Sequence, residues 1–137
     1  MSNYFDEESM NKTRVLLVMK PTAFRDELMV GMGHEGFEVV LASEGLEALD
    51  ILRKYSVNEI LTQLDLPQVD GLELILNIRN LQITVPIIVV SFKDSEIKDE
   101  VLKAGASEFL HYPVDPATVI DLIKHNARLK NEIKTNR

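Results

Sequence analysis

The stretches RVLLV at 14–18 and PIIVVS at 86–91 decide the fold. Each is a short, near-continuous apolar run, the pattern of a strand buried on both faces rather than of one with a wet side. Working outward, FEVVLA at 37–42, NEILTQ at 58–63 and SEFLHY at 107–112 supply three more strands. Between the five runs lie amphipathic stretches at roughly 22–34, 44–54, 71–81, 95–104 and 116–134, with apolar residues at helical spacing such as Leu46, Leu49, Ile51 and Leu52. Strict strand–helix alternation predicts right-handed crossovers and a parallel sheet covered on both sides, a doubly wound α/β fold of five strands and five helices.

Local punctuation agrees with these boundaries. Ser43 is placed to cap the second helix, Asp115 followed by Pro116 reads as an N-cap with proline at the first helical position, and Gly105 follows the fourth helix. Residues 1–12 read as a flexible segment, 13–126 as the folded domain and 127–137 as an extension of the last helix.

The 137 residues are one domain's worth, and 45% hydrophobic with 27% charged residues is a globular composition. The absence of cysteine excludes disulfides, thiolate metal sites and cysteine nucleophiles, and it fits a reducing compartment; the cytoplasm is the expected location. No apolar run reaches the roughly 20 residues of a membrane span. A net charge of −7, from 15 Lys+Arg against 22 Asp+Glu, argues against nucleic-acid binding, which needs a basic face.

In an open parallel sheet, ligands bind beyond the carboxyl ends of the strands, near the reversal of strand order. Those ends carry Met19 and Lys20, Gln63 and Asp65, Ser91 and Phe92, and His111 and Tyr112. The runs RVLLV and PIIVVS, the loop LDLPQVDGLELI and the segment KAGASEFLHYPVD together resemble the response-regulator receiver (CheY-like) family over about residues 13–125. The resemblance implies a flavodoxin-like domain of two-component phosphorelay signalling. In that family a strand-three aspartate takes phosphate from a histidine kinase, with Mg²⁺ held by that aspartate and an acidic pair after strand one.

Carried over position by position, the chemistry is missing. The acidic pair falls on Met19 and Lys20, the phosphoacceptor on Gln63, and the family's lysine before the final proline on Tyr112. Ser91 keeps the strand-four hydroxyl, but the small residue after it falls on Phe92, whose ring narrows the entrance. Mg²⁺ demands hard anionic oxygens, and a Lys20 ammonium about 4 Å away would repel it by roughly 8 kcal/mol at an effective dielectric of about 20. A neutral Gln63 amide is also no nucleophile toward a phosphoryl donor. The expectation is a pseudo-receiver with no catalytic residue, no bound metal or other cofactor, and no enzymatic activity, acting through protein–protein contacts.

Phe109 occupies the family's switch-aromatic position, and the resemblance places the partner face on Glu96, Lys98, Lys103, Phe109 and the 116–125 surface. The expected partner is a signalling kinase, an effector or another regulator. Gln63 is either a hydrogen-bond partner of Ser91 or a polar residue left neutral once phosphate chemistry lapsed, and Lys20 reads as a solvated loop lysine, with a pairing to Asp65 as the alternative. A Tyr112–Pro113 bond in the cis form is also expected, since tyrosine before proline tolerates it.

Two other functions compete. One is a working phosphorelay receiver using Asp65 as a displaced acceptor. The other is a small-ligand or nucleotide-binding domain using Gly31, Gly33 and Gly36, which spell G-x-G-x-x-G. That motif requires a strand before it and a helix after it, and the order here is reversed, so turn and helix-end glycines are the better explanation. His34, His111 and His125 are too dispersed for a metal site. Val119, Leu122, Asn126, Leu129 and Ile133 follow an a/d heptad, which allows a homodimer through the last helix with Asn126 fixing register.

Overall fold

The computed structural model describes the backbone of residues 12–93 and 96–135, and the side chains of those as far as Lys130. Apart from Lys12, the N-terminal segment read as flexible lies outside the described residues. Five strands, β1 Arg14–Val18, β2 Glu38–Ala42, β3 Glu59–Gln63, β4 Ile87–Ser91 and β5 Glu108–His111, form one parallel sheet in the order β2-β1-β3-β4-β5. Five helices alternate with them: α1 Ala23–His34, α2 Gly45–Lys54, α3 Gly71–Asn80, α4 Lys98–Ala104 and α5 Pro116–Thr135. The fold is the expected doubly wound one. Its strand order reverses between β1 and β3, so the functional cleft lies over their carboxyl ends.

The period-two alternation of the strands sorts the core into two layers. Leu16, Val18, Ile60, Ile87 and Val89 pack under α2, α3 and α4 through Leu49, Leu52, Leu74, Ile75, Ile78 and Val101. Val15, Leu17, Leu61, Ile88 and Val90 point the other way, against Phe24, Leu28 and Met32 of α1 and Val119, Ile120 and Ile123 of α5. Helices α1 and α5 approach closely at Gly31, where an added Cβ would overlap the Ile120 Cδ1. Gly31 and Gly33 therefore belong to α1, and Gly36, at φ +84°, makes the turn into β2.

Caps account for most helix starts. Thr22 Oγ1 accepts the Arg25 N–H, Asp70 Oδ1 accepts the Glu73 N–H, and Asp115 Oδ1 accepts the Ala117 N–H, as expected for the last. The expected cap at Ser43 is not formed. Glu44 is the N-cap residue of α2 without a side-chain bond, and the Ser43 N–H donates back to Glu47 Oε1 at 2.8 Å. Helix α4 begins at Lys98, three residues later than the apolar spacing suggested, so Glu96 sits in the loop before it. No described helix is long and apolar enough to cross a membrane.

Candidate functional site at the carboxyl ends of the strands

At the cleft, Gln63 ends β3 with its side chain on the α1/α5 side and only 6% exposed. A buried primary amide must find both an acceptor and a donor. Gln63 finds them: its Oε1 accepts the Lys20 backbone N–H at 2.6 Å, and its Nε2 donates to the Asp65 carbonyl at 2.8 Å. The amide thus joins the end of β1 to the loop after β3. That loop is held further by the Gly71 N–H donating to the Leu64 carbonyl at 2.7 Å.

Met19 points into the apolar layer beneath α1 and is fully buried, while Lys20 is exposed. Lys20 is solvated, as expected, and the alternative Lys20–Asp65 pair is not formed: Asp65 Oδ2 lies 3.1 Å from Lys93 Nζ, both side chains being largely solvated. Nor does Gln63 bond Ser91. The Ser91 hydroxyl instead donates to the Lys93 carbonyl at 2.7 Å, a local turn that competes successfully with a longer reach. The Lys93 carbonyl also lies 3.1 Å from His111 Nε2, so this one residue ties the loop after β4 to β5 and, through its ammonium, to Asp65.

Three rings close the cleft beside β4 and β5. Phe92 and Tyr112 lie 4.8 Å apart at 34°, and Phe24 of α1 meets them edge-on at 6.0 and 5.3 Å. Such edge-to-face contacts are worth about 0.5–1.5 kcal/mol beyond the area they bury. Tyr112 precedes Pro113 across a cis peptide bond, as expected. The cleft therefore brings together Met19, Lys20, Gln63, Asp65, Ser91, Phe92 and Tyr112. Phe24 and Lys93 complete it without any sequence signal, since one reads as an ordinary core position and the other as a solvated loop lysine. Phe109 is half-buried against the α2–α4 layer, and Glu96, Lys98 and Lys103 are exposed nearby.

A second polar centre lies at the opposite end of the sheet. Glu59, the first residue of β3, is 2% exposed under α5 and accepts Asn126 Nδ2 at 3.0 Å. Burial raises its carboxyl from the usual 4.5 to about 7, opposed by the Asn126 hydrogen bond and the Lys130 charge.

The family model for the response regulator receiver domain matches residues 15–124. This chain belongs to the response regulator receiver family. Curated relatives agree. A probable transcriptional regulatory protein of Picosynechococcus is 34% identical over 82% of this chain and 48% of its own length, and the response regulator MprA of Mycobacterium is 32% identical over 73% of this chain and 44% of its own. The receiver thus spans about half the length of the curated relatives it matches. Among solved structures, a CheY-like receiver domain from Methanospirillum hungatei is 27% identical, superposes with a TM-score of 0.81, and is matched over 89% of this chain and 99% of its own. The receiver is a two-component signalling domain.

Proposed function

We propose that this receiver signals through protein contacts without taking up phosphate. The Gln63 amide carries the reading, because it stands at the phosphoacceptor position that the resemblance implies, and both its ends are already engaged. Mg²⁺ needs several hard oxygens in near-octahedral geometry. Here Met19 offers a buried thioether, Lys20 a like charge, and Gln63 an oxygen committed to the Lys20 amide. No cluster of three His, Cys, Asp or Glu side chains occurs among the described residues. These residues do not fit the ion. Phe92, in the position after Ser91 where the resemblance implies a small residue, is instead packed with Phe24 and Tyr112 in a cluster of three rings.

The partner is then a protein, a kinase, effector or other regulator, met on the α4–β5–α5 side through Glu96, Lys98, Lys103 and the rim of Phe109. A homodimer through α5 loses support at two heptad positions: Val119 is fully buried in the chain's own core and Asn126 bonds Glu59.

Titration of the whole chain with Mg²⁺ and beryllium fluoride, followed by amide shifts, tests the reading together with acetyl phosphate and intact mass. Residues around Gln63, Ser91 and Phe109 stay unmoved and no phosphate is added. Gln63→Asp, which restores an acid alone, also stays unphosphorylated, because Met19 and Lys20 still supply no metal ligand. Phosphate on Asp65 of the unaltered chain, or Mg²⁺ bound at millimolar concentration, overturns the proposal and makes this a phosphorelay switch with a rearranged site.

A further inference from the structure

Glu59 sits on the sheet face that carries α5, beneath the helix's second half. One carboxyl oxygen takes the Asn126 amide, and the other, Oε2, is buried without a hydrogen-bond partner among the described residues. From α5, Glu59 faces Asn126 and the exposed Lys130. On β1 its register partner is the apolar Val15, and the neighbouring Arg14 guanidinium is engaged with Glu38 and the Ser56 carbonyl. On the β4 side Pro86 and Ile87 bring no charge. At the far end of α1, Glu35 is paired with Lys124.

We infer that the Glu59–Asn126 pair is a proton-sensitive latch: the neutral acid holds the second half of α5 on the sheet, and the carboxylate releases it. The inference goes beyond the phosphate-free reading and holds whether or not the cleft takes phosphate.

The physical reason is the difference between burying a hydroxyl and burying a charge. A neutral carboxyl still accepts the Asn126 N–H at Oε1, and its second oxygen carries only a modest desolvation penalty. An ionised one has the Asn126 amide and the charge of the exposed Lys130 in place of several waters, and these only partly offset the cost of burial. The cheapest way to readmit water lies along α5 beyond Asn126, where Arg128, Leu129 and Lys130 are exposed, while Val119, Ile120 and Ile123 stay in the core. A carboxyl raised from 4.5 to about 7 by folding binds more protons in the native state across that window. Its contribution to stability is full below about pH 4.5 and is lost as the pH rises through about 7. Because α5 borders the proposed partner face, the latch would let pH set how that helix is presented.

Amide hydrogen exchange on the full chain, corrected for intrinsic rates and compared at about pH 5.5 and about pH 8.5, tests it together with the ¹³C shift of the Glu59 carboxyl. Protection beyond Asn126 falls on the order of tenfold relative to the helix's first half as the pH rises, and the carboxyl titrates near neutrality. The near-isosteric Glu59→Gln keeps the amide contact, cannot ionise, and holds the same protection at both pH values. A Glu59 titration near 4.5, unchanged relative protection in the unaltered chain, or a pH response that survives Glu59→Gln overturns the latch. The first two measurements use only the unaltered chain, so they decide even if the variant folds poorly.

Discussion

Replacing Arg79 by alanine is expected to lower stability by about 3–5 kcal/mol, which for a domain of this size is a fall in melting temperature of roughly 10–20 °C. Arg79 lies in the last turn of α3, and its guanidinium works as a four-donor clamp on backbone oxygens. Nε and Nη2 donate to the Gly105 carbonyl at 3.2 and 2.6 Å, while Nη1 donates to the carbonyls of Ile83 and Val85 at 2.8 and 2.9 Å. The clamp joins the loop before β4 to the turn before β5. Truncation strands three half-buried carbonyls, each worth about 1–3 kcal/mol when left unpaired, with some of the loss recovered by water. Gly105 is shaped to the same contact: it lies at φ +127°, and a Cβ there would sit 2.7 Å from Arg79 Nε. Lysine is no substitute, since a single ammonium cannot span three separate carbonyls, and Arg79→Lys recovers less than half the loss. Denaturant unfolding of both variants checks this, and a loss below about 1 kcal/mol for Arg79→Ala would mean that water serves these oxygens as well as the guanidinium does.

The fold was legible because the strongest signals in this sequence are periodic. Val15 through Val18 and Ile87 through Val90 must be covered on both sides, and the amphipathic stretches between them leave few ways to do it. Pairings between polar side chains were less legible, because the sequence shows which groups need partners but not which is nearest. The sequence puts Gln63 at the end of β3, but only the fold shows that its amide reaches the Lys20 N–H and the Asp65 carbonyl rather than Ser91, whose hydroxyl is taken by its own loop. Asn126 illustrates the same limit. Heptad spacing puts it on a seam, and only the fold shows that the seam faces Glu59, 67 residues earlier. Within NEILTQ, Glu59 carries no signal of burial, since an acid at the first position of a strand is ordinarily solvated. Only a helix laid over that strand end turns it into a buried carboxyl.

Gly71→Ala is expected to destabilise the domain by roughly 2–3 kcal/mol even though alanine is the better helix former by about 1 kcal/mol. Gly71 is the first residue of α3, and its N–H reaches the Leu64 carbonyl. A Cβ there would lie 2.8 Å from Leu64 Cα and 3.0 Å from the carbonyl oxygens of Gln63 and Leu64. All three are backbone atoms, so no side chain can swing aside. Either the start of α3 or the loop from Leu64 to Asp70 must move, and that loop carries the Asp65 carbonyl to which Gln63 is tied. Gly33→Ala separates this effect from propensity: apart from the local backbone of its own helix, no atom lies within 4 Å of its added Cβ, so the same exchange in α1 gains up to about 1 kcal/mol. Thermal melts of the pair, with the amide shifts of Lys20 and Asp65 in Gly71→Ala, check both halves. Opposite signs in stability together with displaced Lys20 and Asp65 amides mean that close approach at Gly71 sets the Gln63 strut. A neutral Gly71→Ala with unmoved amides means that the strut is held by its own hydrogen bonds and the loop yields around it.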